Sequence, residues 1–209
     1  MKLISKKKCK FLSTYAQSVF RYLANSSDPG WKQTQDFRRL DPGPHHGAVV
    51  SQQSYRVHQK FLQLADEVID YKTQHITSEQ VSSIPAIKVN PFKDQICKVF
   101  SRNEQGLFSF EDFLEMISTF SENASLAVKI DYAFRIYDLN GNNYIDQEDI
   151  RHIIFRLTNG SMDEADISTL THYIMEEGDL NNDGMLSFVE FKNVIERSAD
   201  FQKSFTIRF

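Results

Sequence analysis

Apolar residues recur every three or four positions along most of the chain beyond residue 55, and short polar segments interrupt them. One stripe, Leu126, Ile130, Phe134 and Tyr137, lies on one face of a helix and stops where a polar segment begins. Three later stripes repeat the spacing: Ile150, Ile153, Ile154 and Leu157; Ile167, Leu170 and Ile174; Phe191, Val194 and Ile195. The pattern predicts an all-α protein made of helix–loop–helix units, and the Ser161–Glu164 spacing predicts a capping box that opens one helix.

The polar segment 179–190 has the spacing of a helix–loop–helix calcium site. Oxygen atoms are expected at loop positions 1, 3, 5, 7, 9 and 12, with glycine at position 6, where the loop turns sharply. Gly184 stands at position 6. The predicted ligands are Asp179, Asn181, Asp183, the backbone carbonyl of Met185, Ser187 and Glu190. Six constrained positions agree at once, so this segment is interpreted as a calcium site and not as an acidic surface loop.

A second copy at 138–149 differs at two positions. Position 6 is Asn143, which adopts the left-handed conformation more readily than most residues but less readily than glycine. Position 12 is Asp149, one methylene shorter than glutamate, so one-oxygen coordination and a raised preference for Mg²⁺ are expected. The predicted ligands are Asp138, Asn140, Asn142, Tyr144, Asp146 and Asp149. The alternative is a vestigial loop that binds no ion.

Two further loops keep the frame without the ligands. Segment 101–112 has Gly106 at position 6 but Ser101 and Gln105 at positions 1 and 5, and Arg102 adds positive charge. A fourth, more eroded copy surrounds Ile76. Neither loop is expected to bind metal. Because position-8 residues pair across two loops, the predicted short β pairings are Ile145 with Leu186 and Ile76 with Phe108. The expected fold is therefore two pairs of hands, the first two degenerate.

Composition and charge restrict the remaining possibilities. Seventeen Phe in 209 residues are enough for a real core, and two Cys give no disulfide framework. The net charge of −4 conceals an asymmetry, because residues 1–54 hold nine Lys and Arg against three Asp. The acidic remainder suits cations and basic partner helices better than nucleic acid. No phosphate loop or nucleophile–base constellation is evident, so an enzyme is not expected.

Four stretches carry a family resemblance: Asn90 to Ser101, Phe108 to Leu114, Tyr132 to Asp138, and the ending from Arg197. With these stretches, residues from about 55 onward resemble the calcium- and integrin-binding family of EF-hand proteins. The resemblance implies a four-hand regulatory adaptor whose first two hands are metal-free. It also implies Ca²⁺ at two sites, aspartate at position 12 of the third hand, and partners such as helical cytoplasmic tails of membrane proteins, integrin α subunits among them.

The C-terminal end supplies a hypothesis about partner binding. Phe201, Phe205 and Phe209 fall on one helical face, and family members can hold this segment in the channel that receives the target. We expect this tail to be autoinhibitory and to occupy a hydrophobic groove in the C-terminal lobe. The expected walls are Ile153, Ile154, Leu157, Leu170, Ile174 and Phe191. Two alternatives stay open: a tail packed permanently as core, and a protein that only buffers intracellular calcium.

The expected organisation is a divergent N-terminal segment at 1–54, an N-lobe at 55–122, a C-lobe at 123–200 and a tail at 201–209. Residues 25–54 are expected to form an unstructured linker. Residues 1–24 allow three interpretations: a basic amphipathic helix in peripheral contact with membrane, a transit peptide, or a stretch without function. Lys2 stands where family members often have the glycine of a myristoylation signal. The expected location is the cytoplasm, including the inner face of the plasma membrane.

Overall fold

Four helix–loop–helix units follow one another along the chain, and each loop contributes one short strand. The computed structural model describes residues 46–65, 75–103, 105–198, 201–207 and 209. The ten helices of this part, α1 to α10, are His46–Leu64, Ser78–Ser83, Pro85–Lys88, Lys93–Phe100, Phe110–Thr119, Leu126–Tyr137, Gln147–Leu157, Glu164–Gly178, Phe188–Glu196 and Phe201–Ser204. The four strands, β1 to β4, are Ile76–Thr77, Leu107–Phe108, Ile145–Asp146 and Met185–Leu186.

The strands join the loops in pairs, as the position-8 argument predicts. Strands β1 and β2 are antiparallel with Ile76 opposite Phe108. Strands β3 and β4 are antiparallel with Ile145 opposite Leu186. All four of these side chains are buried, so each pairing also fixes two apolar side chains between the helices of its lobe. The predicted pairing of hands, first with second and third with fourth, is confirmed.

A capping box begins the second helix of every unit. The residue directly after the position-8 residue caps the helix with its side chain, and the residue three positions later returns a hydrogen bond to the cap backbone. The four pairs are Thr77 with Gln80, Ser109 with Asp112, Asp146 with Asp149, and Ser187 with Glu190. The capping box therefore belongs to the frame of the fold, and it is present whether or not the loop carries metal ligands.

The two lobes pack through aromatic rings and one ion pair. Phe100 on α4 stacks on Tyr132 of α6, with ring centroids 4.5 Å apart, and Phe92 meets Tyr137 edge to face at 5.2 Å. Arg156 at the end of α7 donates to both carboxylate oxygens of Asp94, at 2.7 and 2.9 Å. Helix α6 thus belongs to the third hand and also contributes C-lobe side chains that contact the N-lobe.

Two boundary predictions are wrong. Helix α1 begins at His46, so residues 46–54 are helical and not part of a linker. This stretch follows Pro44 and contains no further proline, which removes the strongest barrier to a helix. Helix α8 is capped by Asp163 and not by Ser161. The Ser161 hydroxyl instead donates to the Thr158 carbonyl at 2.7 Å and closes the turn that ends α7.

Candidate functional site: the paired loops and the C-terminal tail

Loop 179–190 is held by the first of its predicted ligands. The Asp179 carboxylate accepts hydrogen bonds from the backbone amides of Asp183 at 3.2 Å and Gly184 at 2.8 Å. Gly184 has φ +84°, the left-handed conformation that position 6 demands, and a Cβ there would meet no heavy atom within 4 Å. Glycine is therefore favoured here by the backbone conformation, and not by a lack of space for a side chain.

Glu190, at position 12, spans this loop from the exit helix to its start. One carboxylate oxygen accepts from the Leu180 amide at 2.9 Å, and the other accepts from the Ser187 amide and hydroxyl at 2.9 and 2.7 Å. The side chain is 6 % exposed. The Ser187 hydroxyl bond, with the loop amides, holds the pKa of Glu190 below its ordinary value. A buried carboxylate that stays ionised beside the loop is what a calcium ligand at this position requires.

Loop 138–149 repeats the arrangement with its own substitutions. The Asp138 carboxylate accepts from the amides of Gly141, Asn142 and Asn143, at 2.8, 3.1 and 2.9 Å. Asn143 has φ +65°, so it adopts the left-handed conformation expected of position 6. The shared hydrogen-bond pattern shows that asparagine preserves the sharp turn.

The shorter position-12 residue still crosses the loop. Asp149 accepts from the Leu139 amide at 3.1 Å and from the Asp146 amide at 3.2 Å, one oxygen for each. Burial raises the pKa of Asp149 above its ordinary value, and the neighbouring carboxylates of Asp146 and Asp138 add to the effect. The opposite pKa directions of Asp149 and Glu190 show that the two position-12 carboxylates have different environments.

The loops fit a hard divalent cation by the chemistry of their donors. Oxygen-bearing side chains occupy positions 1, 3, 5, 9 and 12 of each loop, and Tyr144 and Met185 can offer backbone carbonyls at position 7. The carboxylates accept hydrogen bonds from loop amides and from the side-chain amides of Asn140, Asn142 and Asn181. In the described ranges no three His, Cys, Asp or Glu side chains converge with metal-ligating geometry.

Loop 101–112, which departs from the ligand pattern at positions 1 and 5, places a protein cation beside its position-12 carboxylate. Arg102, at position 2, directs its guanidinium to the carboxylate at position 12: Nε lies 3.4 Å from Asp112 Oδ1. The same guanidinium pairs with Glu115 and approaches Glu111 at 4.0 Å. Asp112 is only 4 % exposed and its other oxygen accepts from the Ser109 amide and hydroxyl, so the Arg102 cation is the positive charge that faces this buried carboxylate.

The C-terminal tail lies between the lobes. Phe201 and Phe205 stack with ring centroids 5.4 Å apart, and both are buried. Phe205 and Phe209 both approach Phe120, at 5.0 and 6.5 Å. The tail is helical only over Phe201–Ser204, so the prediction of one helical face through Phe209 is wrong. The Thr206 hydroxyl donates to Gln202 O at 2.9 Å, and the backbone N–H of Ile207 donates to Phe120 O at 3.0 Å.

We call the surface under the tail the tail seat. It is a cavity whose walls come from α4 and the segment before it, from the residue after α5 and from α6, and the tail itself closes it. The lining residues outside the tail are Asn90, Phe92, Ile96, Phe120, Ile136 and Tyr137. The six predicted groove residues do not line this cavity. Ile154, Leu170 and Phe191 are buried, and Ile153, Leu157 and Ile174 are partly buried against the core.

Lys129 and Phe120 form hydrogen bonds with the tail that were not predicted. Lys129 is completely buried, and its Nζ donates to Phe205 O at 2.6 Å and to Thr206 Oγ1 at 2.9 Å. Phe120, just past the end of α5, contacts the tail through both its ring and its carbonyl. A signal for Lys129 exists in the sequence: it lies three residues after Leu126 and four before Ala133, on the side of α6 that is buried.

Comparison with known proteins identifies the family. The family model for an EF-hand domain pair matches residues 128–196, which contain both candidate metal loops. Human calcium and integrin-binding family member 2 is 35 % identical over 158 residues, covering 73 % of this chain and 84 % of the relative. The chain belongs to the calcium and integrin-binding family. Mouse family member 3 is 36 % identical, with 73 % and 99 % coverage, and Drosophila melanogaster family member 2 is 36 % identical, with 73 % and 85 % coverage.

Membership in the calcium and integrin-binding family agrees with the geometry of the two loops. They are the third and fourth EF-hands of the chain, in a family named for calcium binding, and none of these relatives has the name of an enzyme. Within the described part, no helix is both long enough and apolar enough for a membrane span.

Proposed function

We propose that this protein is a Ca²⁺- and Mg²⁺-binding EF-hand adaptor that receives an amphipathic helix of a partner in the tail seat. Two ions bind, one in each C-lobe loop, and Mg²⁺ is favoured in loop 138–149 because Asp149 is short. The relatives' names make the helical cytoplasmic tail of an integrin α subunit the first partner class to test. The corresponding location is the cytoplasm at the inner face of the plasma membrane.

One observation carries this proposal: an aromatic segment of the chain fills a cavity between the lobes. Burial of Phe201 and Phe205 is worth up to about 1.5–3 kcal/mol each before the entropy of ordering the tail is subtracted. An amphipathic helix with similar apolar side chains offers the same gain and competes for the same surface. Part of the binding energy of such a partner would be spent on displacing the tail.

Tyr137 connects the tail seat to the proposed metal loop 138–149. This buried tyrosine directly precedes Asp138, lines the cavity, and packs edge to face on Phe92 at 5.2 Å. Its ring also meets Phe191 of the fourth hand at 6.2 Å. A shift of the loop can therefore reach the cavity wall through one residue. When bound, the ion supplies a positive charge that gathers the loop oxygens, and Tyr137 is the route by which that change reaches the tail seat.

The C-lobe groove stays a separate prediction. Its six residues belong to helices α7, α8 and α9, whereas the described tail contacts involve Phe120, Ala124 and Lys129. The two surfaces can be distinguished by substitution. Ile136→Asp changes the wall of the tail seat, and Ile174→Asp changes the predicted groove. If the tail seat receives the partner, only Ile136→Asp abolishes binding in a chain that still melts cooperatively.

Deletion of residues 199–209 tests the proposal as a whole. The probe is a synthetic peptide with the cytoplasmic segment of an integrin α subunit, titrated with Ca²⁺, with Mg²⁺ and with chelator. Displacement predicts a folded chain that binds the peptide more tightly and exposes more apolar surface. A tail that is permanent core predicts a lower melting temperature and no gain in affinity. A calcium buffer predicts no peptide binding under any of the three conditions, and either of these results would contradict the proposal.

A further inference from the structure

Lys129 places a buried cation at the point where the tail helix ends. Helix α10 closes with the bond from Phe205 N to Phe201 O at 2.8 Å, and Phe205 O is the carbonyl of the first residue after this helix. That carbonyl accepts from Lys129 Nζ. The cation thus meets the C-terminal end of a helix, where the backbone dipoles leave partial negative charge.

The surroundings of Lys129 make the ammonium group depend on acceptors from the tail. Lys129 lies in the first turn of α6, where the positive end of that helix disfavours a second positive charge. Burial lowers the pKa of Lys129 to about 8, whereas the carboxylate of Glu122 raises it, so the side chain is mostly protonated at pH 7. Close to Lys129 in the tail contact, Phe120 O accepts a hydrogen bond from the Ile207 amide and holds the end of the tail.

A segment that replaces the tail meets this lysine again. While the tail seat is open, water can solvate the ammonium group, but a bound helix excludes that water. An occupant that offers no oxygen acceptor then leaves a buried cation unpaired, which costs more than a hydrogen bond gains. An occupant whose own C-terminal carbonyls lie over Nζ avoids this cost.

We propose that Lys129 fixes the direction of the partner helix, so that a partner must enter the tail seat with its C-terminal end over Lys129. This inference rests on the proposed function, in which a helix of a partner displaces the tail. The expected partner segment is amphipathic, and its helix ends, with free carbonyls, at the position now held by Phe205 and Thr206.

The test uses the full chain with Phe201→Asp and Phe205→Asp, which weaken its own tail, after a melting curve has shown that it folds. The probes are a labelled peptide with the sequence of residues 197–209 and a second peptide with that sequence reversed. The reversed peptide keeps the composition and the apolar spacing but inverts the helix. Fluorescence anisotropy measures both affinities. The forward peptide should bind about tenfold more tightly.

The cause is tested by repeating both titrations with Lys129→Met and Lys129→Gln, and with Lys192→Met as the matched control. Lys192 is a surface lysine on α9 whose Nζ lies 3.8 Å from Glu196, and it does not line the tail seat. The preference for the forward peptide should vanish in Lys129→Met, fall in Lys129→Gln and persist in the control. Two lysine variants are used because glutamine keeps a neutral donor at this position if methionine disturbs folding.

The outcomes separate this inference from the proposed function. Equal binding of the two peptides to the Lys129 chain overturns the fixed direction and leaves the adaptor proposal standing. A preference that persists in both Lys129 variants also overturns it, because another group then sets the direction. Absence of binding by either peptide overturns the inference and removes the tail seat from the proposed function.

Discussion

Loops 101–112 and 179–190 have the same frame and different chemistry. Each has a glycine at position 6 with positive φ, +70° at Gly106 and +84° at Gly184. Each pairs a short strand with its neighbour and begins its second helix with a capping box. Each buries the carboxylate at position 12, to 4 % exposure in Asp112 and 6 % in Glu190. The frame of an EF-hand therefore does not depend on its ligands.

The loops differ in what faces the position-12 carboxylate. Glu190 meets only hydrogen-bond donors of its own loop, from Leu180, Asn181 and Ser187. Asp112 accepts from the Ser109 amide and hydroxyl of its own loop and also faces the guanidinium of Arg102. In loop 101–112 a side-chain cation therefore supplies positive charge beside the position-12 carboxylate, and the unit still pairs its strand with the neighbouring hand. Substitutions in these loops can separate the frame from the chemistry.

The largest effect is expected from Glu190→Gln. The substitution keeps the shape and the capping position but removes the charge, so loop 179–190 should lose its Ca²⁺, for which a dissociation constant of about 10⁻⁷–10⁻⁵ M is expected. Isothermal calorimetry should show one binding event fewer. Glu196→Gln, an exposed glutamate on the same helix, is the control. An unchanged titration would remove Glu190 from the ligand set.

The converse change should create a site in loop 101–112. Ser101→Asp, Arg102→Leu, Gln105→Asp and Asp112→Glu together restore the ligands and remove the competing cation while the frame stays. We expect one additional Ca²⁺, with a dissociation constant on the order of 10⁻⁴ M or tighter. Arg102→Leu alone should add none. If the fourfold variant binds no extra ion, the frames of the two loops are not equivalent.

A smaller effect is expected from Asp149→Glu in loop 138–149. The added methylene permits coordination through two oxygens, which suits the larger coordination number of Ca²⁺. Competition titrations should show a higher ratio of Ca²⁺ to Mg²⁺ affinity than in the original chain. Asp149→Asn, which removes charge without adding length, should weaken both ions. Equal ratios before and after Asp149→Glu would mean that position 12 does not determine the choice of ion.

The smallest effect concerns stability without metal. Arg102→Leu removes the cation that faces the buried Asp112 carboxylate beside Glu111 and Glu115 and leaves only the hydrogen bonds from Ser109, so a loss of about 1 kcal/mol in unfolding free energy is expected. The control is Arg135→Leu, which breaks an exposed pair with Asp131 and should cost a few tenths of a kcal/mol. Urea unfolding in chelator measures both. Equal losses would show that Arg102 does not compensate Asp112.

The loops could be predicted from the sequence because their geometry is set by position within twelve residues. The pairs Ile145 with Leu186 and Ile76 with Phe108 follow from that register, and the left-handed turn at Asn143 does too. The tail could not be placed in the same way. Its helix ends at Ser204 because two residues far away in the chain, Phe120 and Lys129, form hydrogen bonds with residues 205–207.

The start of one helix was predicted wrongly because two local capping signals compete there. Ser161 and Asp163 can both cap α8, and the turn closed by the Ser161 hydroxyl leaves the role to Asp163. Residues 46–54 had the composition of a loop only as part of a longer window that includes Pro42 and Pro44. The three interpretations of residues 1–24 lie outside the described residues and stay predictions, as does the proposed contact of that segment with membrane.

The central claim is that ions bind in the two C-lobe loops and in neither N-lobe loop. Native mass spectrometry in Ca²⁺ tests it most directly, on the original chain, on Glu190→Gln, on Asp138→Asn and on the double variant. We predict two, one, one and zero bound ions. A third ion on the original chain, or an ion retained by the double variant, would contradict the account.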